Sequence, residues 1–318
     1  MRIHVISTVN GQINEGMRNI ATHLARAFEA KHEVCYSGLK DFVSIIRNSV
    51  NCDATMIFAR ANKMVYWLAR LVTLLSANVW IVCVQKPNAD FTFLSGRRPL
   101  KVNYLTLLED DLSEIKCRSG YKKVSMDVGI KTDKFAPVTT EKQREIKQKY
   151  GFDPEKPLVI HVGHCSSGRG LEDFAEICSA ERLIVASGMF ENADTVNTLQ
   201  QAGVCIRKGY LEHVEEVYQM ADAYLFPTHS AEYVISIPLS VMEALSCGVP
   251  VVGYRDFPNL LKIPAEEDAI TLITNKTELN DAIGHAAKRK KSHSLLRESK
   301  SWEEVADEVL AAVRRNER

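Results

Sequence analysis

Short apolar runs alternate along the whole chain with stretches whose apolar positions recur every three or four residues. The runs predict buried strands and the periodic stretches predict helices. In the first part of the chain strands are expected over 3–7, 32–36, 54–58, 79–84, 102–108 and 123–126, with helices over 17–30, 39–48, 63–76 and 110–118. The alternation resumes with a charged helix over 139–150 and a turn at 154–157. Strands then fall over 158–162, 182–186, 204–207, 223–226, 249–252 and 269–273, and helices over 171–178, 193–202, 214–220, 237–245 and 278–291. Repeated strand–helix–strand units close with right-handed crossovers, so the expected class is α/β with doubly wound parallel sheets. Ser301 is a good N-cap for a last helix, whose Trp302, Val305, Ala306, Val309 and Leu310 share one face.

One stretch admits a second reading. Residues 64–84 are mostly apolar and about as long as a membrane span. Arg70 at the middle and Asn78 near the end are costly in hydrocarbon, so a helix, a turn at Ala77-Asn78 and a strand are expected instead. With 318 residues, 46% of them hydrophobic and 25% charged, the chain is sized for two globular domains, each with its own core. Forty basic residues balance forty acidic ones, so no global field draws the chain to nucleic acid or to a membrane. The eight cysteines are scattered and form no C-x-x-C pair, which argues against a zinc site or a disulfide scaffold and for a reducing cytosol. The opening MRIHVISTV reads as a strand and lacks the pattern of a signal peptide.

Candidate chemistry sits in the loops at the carboxyl ends of the strands, where parallel sheets bind ligands. After the first strand, T-V-N-G-Q-I-N-E-G-M-R supplies Gly11 and Gly16, which allow a tight turn and a close backbone approach. Plain turn chemistry gives the same pattern. G-H-C-S-S-G-R-G, residues 163–170, offers Gly163, His164 and Arg169. An arginine presents a fixed cationic fork to phosphate oxygens, whereas a histidine is fully charged only near or below its pKa of about 6.5. A surface residue at a helix start and a packed core histidine are the plainer readings of these two. Further on, the backbone around Ser236, Ile237, Pro238 and Leu239 starts the helix over 237–245, and unpaired N–H groups at such a start favour a phosphate. Two acids, Glu232 in the loop and Glu243 on the helix, lie close to that point.

The run P-T-H-S-A-E, followed by I-P-L-S-V-M-E-A-L-S-C-G-V-P-V-V, resembles the donor-sugar site of retaining glycosyltransferases of the GT-B fold, family 4 (glycosyl transferases group 1). Members carry a Glu, seven residues, a second Glu, and then E-A-[ML]-[AS]-C-G-x-P-V-V. Glu243, Ala244, Cys247, Gly248 and Pro250 match. Ten residues separate Glu232 from Glu243, and Ile235 stands eight before Glu243. Either the loop is three residues longer and Glu232 still reaches the donor, or the first acid is lost; the longer loop is the expectation taken forward. G-I-K-T-D-K-F-A-P, residues 129–137, resembles the family turn that ends the N-terminal domain, with Lys131 in place of an Asp and Val128 in place of an Asn. Gly209-Tyr210-Leu211 resembles the family's backbone contact to the nucleobase. His164 and Arg169 occupy the positions of the cations that grip the diphosphate. Where members place a sugar-contacting histidine after the strand over 79–84, Gln85 and Lys86 are the polar groups present. Residues 91–101, with Arg97 and Arg98, are expected to form a mobile acceptor-side loop.

The resemblance implies a GT-B architecture, two Rossmann-like doubly wound domains facing a central cleft. The acceptor-side domain would span 1–135 and the nucleotide-sugar-binding domain 136–300, with helix 301–318 packing back on the first through Trp302. It further implies transfer of a hexosyl-type sugar, with retention, from a nucleotide-diphosphate sugar to a glycan, lipid or small-molecule acceptor. Glu232, Arg169 and Gln85 would carry the chemistry. Gly11, Gly16, Gly163, His164, Gly209, Tyr210, Ser236, Ile237, Pro238, Leu239 and Glu243 would hold the donor with them. No D-x-D stands in the donor loops, so no metal and no other cofactor is expected. Lys288-Arg289-Lys290-Lys291 is a solvated helix end or, in the other reading, a peripheral membrane contact that would place this cytoplasmic protein at the inner face of a membrane. No nucleic-acid partner is expected. Two rivals remain: a nucleotide-sugar epimerase or phosphorylase of the same fold, and a non-catalytic nucleotide-binding partner subunit, suggested by Gln85, Lys131, His164 and Ile235.

Overall fold

The computed structural model describes residues 1–7, 16–188, 191–209, 211–289 and 292–314. The alternation of the sequence becomes two six-stranded, all-parallel sheets in two compact units. The first unit holds β1 (Arg2–Ile6), α1 (Gly16–Glu29), β2 (Glu33–Ser37), α2 (Phe42–Val50), β3 (Ala54–Phe58), α3 (Lys63–Val72), β4 (Val79–Cys83), α4 (Ala89–Arg97), β5 (Asn103–Thr106) and β6 (Lys123–Ser125). Its strand order is β2-β1-β3-β4-β5-β6, with His4 opposite Cys35 on one side and Thr55 on the other. β3 and β4 are buried along their whole length, as expected of central parallel strands read as unbroken apolar runs. The step from β1 to β2 runs one way along the sheet, and the steps to β3, β4 and β5 run the other way. Right-handed crossovers therefore put α1 on one face and α2, α3 and α4 side by side on the other.

Side chains fix the ends of these elements. Asp41 and Asn62 cap α2 and α3 by accepting from the Ser44 and Val65 N–H groups, at 3.1 Å each. Asn78 accepts from the Trp80 indole at 2.8 Å, which settles residues 64–84 as helix, turn and strand. Buried His4 lies between Ser37 Oγ at 2.8 Å and Ser49 Oγ at 3.1 Å, and burial pushes its pKa down to about 4.

The second unit holds α5 (Thr140–Lys149), β7 (Leu158–Gly163), β8 (Glu181–Ala186), α6 (Ala193–Gln201), β9 (Cys205–Lys208), α7 (Val214–Met220), β10 (Ala223–Phe226), α8 (Leu239–Ser246), β11 (Val251–Tyr254), β12 (Ile270–Ile273) and α9 (Leu279–Ala286). Its order is β12-β11-β10-β7-β8-β9, so the chain leaves β7 toward one edge and returns to β7's other side with β10. That reversal creates a switch point between β7 and β10. Lys147 on α5 is buried and bonds the Asp222 carboxylate at 2.6 Å, tying α5 to the start of β10.

The last helix, α10 (Trp302–Arg314), belongs to the first unit and packs on α1. Ser301 Oγ accepts from the Glu304 N–H at 3.1 Å while the Glu304 carboxylate accepts from the Ser301 N–H at 2.7 Å, a reciprocal cap. Trp302, Val305, Ala306, Val309 and Leu310 are all buried, and the Trp302 ring stacks on His23 at 5.0 Å. A Cβ on Gly129 would lie 2.6 Å from that indole, so the Trp302 seat requires the glycine. Phe135, in the same turn, belongs to the second unit: its carbonyl accepts from Ser246 Oγ at 2.6 Å, and its ring meets Tyr218 edge-on. The two units thus part between Gly129 and Ile130, inside the turn, rather than after residue 135.

Several expected elements differ. Residues 91–101 are not a loop: Phe91 and Ser95, one turn apart, are buried under α4, and Pro99 follows where the helix has ended. The helix over 110–118 shrinks to a 3-10 turn, Glu109–Leu112, and that over 171–178 to Leu171–Glu176. The first has Leu112 as its single buried residue, too little apolar surface to hold further turns. The helix over 237–245 starts at Leu239 because Pro238 keeps the residue before it out of helical geometry. The helix over 278–291 ends at Ala286, and Lys290 and Lys291 lie outside the described residues.

Candidate functional site

The carboxyl edge of the second sheet is built around the β7–β10 switch point. Gly163 ends β7 where a Cβ would lie 2.9 Å from His161 Nε2, and Gly170, at φ +71°, lets its loop pass against the Pro227 carbonyl, 2.3 Å from where a Cβ would stand. Thr228 Oγ1 donates to the Arg169 carbonyl at 3.4 Å, so the loops after β7 and β10 are held together. Tyr224, inside β10, carries its hydroxyl to Ser240 Oγ at 2.8 Å and to the Val162 carbonyl at 3.2 Å. One phenol therefore joins β7 to the first turn of α8.

Arg169 is the charge in this setting. It is half-buried, its Nε has no hydrogen-bond partner among the described residues, and burial pulls its pKa below the ordinary arginine value, with the Tyr224 hydroxyl as the neighbour opposing the shift. Among the described residues no carboxylate pairs with it, and a covered cation left so is unfavourable until an anion arrives. Behind it, His161 donates from Nδ1 to the Leu225 carbonyl at 3.1 Å, which leaves Nε2 as a bare acceptor without a partner among the described residues. Burial, reinforced by the Arg169 charge, pushes the His161 pKa down to about 3, so it stays neutral.

α8 supplies the other half. Among the described residues the N–H groups of Ile237, Leu239 and Ser240 bond no other backbone group, so they point an unpaired, positive helix start toward the edge. The Ser236 N–H does not join them. It donates to the Val84 carbonyl at 2.9 Å, and Ser236 Oγ donates to the Asp111 carboxylate at 2.5 Å. The expected row of N–H groups from Ser236 onward is therefore shorter by that one. One turn into α8, Glu243 Oε2 accepts from the Tyr218 hydroxyl at 2.7 Å. Burial pushes the Glu243 pKa up to about 7, with that hydrogen bond and the Lys134 charge opposing the shift.

The remaining expected residues are distributed as follows. His164 is buried with Nδ1 on Ser187 Oγ at 2.5 Å, beside the end of β8. Gly209 holds φ +95° and donates its N–H to the Ala186 carbonyl at 2.9 Å. Gly11 and Tyr210 lie outside the described residues. Glu232 is exposed on a 3-10 turn, Ala231–Tyr233, with its N–H on Ser230 Oγ at 3.2 Å. Gly16, Gln85 and the segment Val234–Ser236 belong to the first unit. There a Cβ on Gly16 would lie 2.9 Å from Ile235 Cδ1, so this glycine makes room for Ile235. The second unit's edge thus gathers Gly163, His164, Arg169, Gly209, Ile237, Pro238, Leu239 and Glu243. Tyr218, Tyr224, Ser240, His161 and Gly170 were not singled out from the sequence. A tyrosine inside the apolar run over 223–226 and a serine in the first turn of the following helix were the visible signals.

The family model for glycosyl transferases group 1 matches residues 142–302, half of the chain. Among curated proteins, sulfoquinovosyl transferase SQD2 of Arabidopsis thaliana is 26% identical over 162 residues, which cover 49% of this chain and 30% of that protein. The match therefore spans about a third of that relative's length. Among solved structures, Anabaena HepE in complex with UDP and glucose superposes with a TM-score of 0.78 at 10% identity, covering 99% of this chain and 100% of that one. Sucrose-phosphate synthase from Thermosynechococcus elongatus gives 0.72 at 13% identity, with 99% of each chain covered. These likenesses show the fold, two Rossmann-like units of the GT-B type.

Proposed function

The chain belongs to the glycosyl transferases group 1 family, and from that membership we propose that it transfers a sugar, with retention of anomeric configuration, from a nucleotide-diphosphate sugar to a glycan, lipid or small-molecule acceptor. The observation that carries this reading is Arg169, a covered cation whose Nε has no partner among the described residues, set at the switch point beside the start of α8. As the glycosidic bond breaks, its electron pair goes to the leaving diphosphate oxygen. Preorganised donors aimed at that developing charge lower the barrier. Arg169 and the N–H groups of Leu239 and Ser240 are the donors for this role. Glu243 accepts from the ribose hydroxyls, Gly209 lies along the nucleobase, and Glu232 contacts the sugar. On this reading the reaction runs without a metal, as the lack of a D-x-D in the donor loops suggests. UDP and glucose in the HepE complex support a nucleoside diphosphate as the common part of the ligand.

A second reading, nucleotide binding without transfer, is favoured by Ile235, which stands where the family's first acid does and packs against Gly16. Incubation with a panel of nucleotide sugars in the presence of EDTA separates the two. Release of nucleoside diphosphate, with the sugar passed to water or an acceptor, is the expected result. Binding without release supports the second reading, and no binding of any nucleoside diphosphate contradicts both.

A further inference from the structure

Nine large apolar side chains are exposed among the described residues, and eight of them lie on or beside α2, α3 and α4, the three neighbouring helices on one face of the first sheet. On α2, Phe42, Ile46 and Val50 recur every four residues and form an outward stripe, with Val43 beside them at 80% exposure. On α3, Met64 and Trp67 stand one turn apart, Leu74 follows at 81% exposure, and Phe93 continues the patch on α4. Scattered exposed apolar residues need no explanation, but a contiguous group of this kind marks an interaction surface.

The charges on the same helices select the partner. α2, α3 and α4 carry Arg47, Lys63, Arg70 and Arg97, all exposed, against a single acid, Asp90. The Asp90 carboxylate is already occupied by the N–H groups of Lys63 at 3.0 Å and Phe91 at 2.7 Å. The whole chain is neutral, so this excess of positive charge is local. Arg70 lies over the Trp67 ring at 5.9 Å and Arg97 over the Phe93 ring at 4.5 Å, which places cation and aromatic ring together at the surface. Basic groups interleaved with Trp, Phe and aliphatic residues on a helix face fit the headgroup region of an anionic bilayer. A two-fold dimer through the same face would set these arginines against their own copies. No helix among the described residues is long and apolar enough to cross a membrane, so the contact is one that lies on the surface.

We propose that the outer face of α2, α3 and α4 docks the first unit onto a membrane surface rich in anionic lipid. The face belongs to the first unit and the proposed donor edge to the second, and the proposal does not depend on sugar transfer. Flotation of the full chain with vesicles tests it, using phosphatidylcholine alone and phosphatidylcholine mixed with phosphatidylglycerol. The expected result is recovery with the mixed vesicles, about ten-fold weaker binding to the neutral ones, and weakening by salt. Ile46→Ser with Trp67→Ser should reduce binding by about ten-fold or more, since each side chain loses its share of buried apolar area. Arg47→Gln with Arg70→Gln should remove the preference for the anionic lipid. Thermal shift by nucleoside diphosphate, measured in parallel, should be unchanged in each double variant, which shows that the variants are folded. The proposal is overturned if the chain floats with neither vesicle at low salt, or if the variants bind like the parent. It is equally overturned if Lys288→Gln with Arg289→Gln alone abolishes binding, or if the face proves to support a dimer that Trp67→Ser dissolves while vesicles go unbound.

Discussion

The two units share a six-stranded parallel sheet, yet the buried cluster around His4 in one and that around Arg169 in the other are completed differently. In the first, buried His4 has a hydroxyl at each ring nitrogen, and the Trp80 indole is answered by Asn78. In the second, the carboxyl edge leaves the Arg169 Nε and the His161 Nε2 without partners among the described residues, and it holds Glu243 where burial opposes its charge. Satisfied buried groups lock a scaffold. Unsatisfied ones cost stability in the empty protein, and a ligand that completes them recovers it. The contrast is between the closed cluster around His4 and the incomplete one around Arg169 and His161.

The largest effect expected is at Arg169. Arg169→Ala should weaken nucleoside diphosphate binding by about 1.5–3 kcal/mol, the range for a hydrogen bond to a charged group, while leaving nucleoside binding unchanged. The empty variant should melt no lower than the parent, because an unpaired covered charge has been removed. Calorimetric titration and a melting curve check both halves. Equal losses for nucleoside and diphosphate would break the comparison between the units.

His4 and His161 compare the units directly. Both are held neutral, with folded pKa values of about 4 for His4 and about 3 for His161, against 6.5 in the unfolded chain. As pH falls below 6.5 the unfolded state takes up protons first, so the stabilisation present above that pH is lost toward pH 4 and then 3. Each histidine contributes about 1.4 kcal/mol per pH unit in that window. Urea midpoints measured down the scale should decline accordingly, and a flat profile would contradict the burial of both rings.

Glu243 gives a smaller signature, from a pKa shifted the opposite way and read in affinity rather than in stability. With its pKa raised to about 7, the carboxyl is protonated below neutrality and ionised above it. Nucleoside affinity should therefore fall as pH drops through about 7. Glu243→Gln should weaken nucleoside and nucleoside diphosphate alike, by about 1 kcal/mol, and remove the pH dependence. The smallest effect on binding is expected at exposed Glu232. Glu232→Gln should change nucleoside diphosphate affinity by less than about 0.5 kcal/mol while slowing sugar transfer strongly. Transfer at the parent rate would take Glu232 out of the site.

Much of this contrast was written in the sequence, and the missing part has a common cause. Strand and helix periods placed the two sheets, and Ser301 with Trp302 and Val305 foretold α10 down to its cap. The expectation failed at α4, where two arginines and Gly96 masked a helix resting on Phe91 and Ser95. Arg169 and Glu243 could be singled out as candidates because the patterns that mark them lie among neighbours in the chain. The Tyr224–Ser240 and Tyr218–Glu243 pairs were not, since each joins residues that only folding brings together. Ser236 shows the same limit: its commitment to Val84 and Asp111 crosses more than a hundred residues. Nothing local forbade that N–H from facing a phosphate.

We propose that the carboxyl edge of the second sheet, through Arg169 and the start of α8, is a diphosphate site. Titration of the unmodified protein with a nucleoside, its monophosphate and its diphosphate, repeated for the uridine, adenosine and guanosine series, tests this most directly. For the base that binds, affinity should rise steeply from nucleoside to diphosphate, by about ten-fold or more, as one charged hydrogen bond gained would give. Equal affinity across the three ligands would contradict the claim.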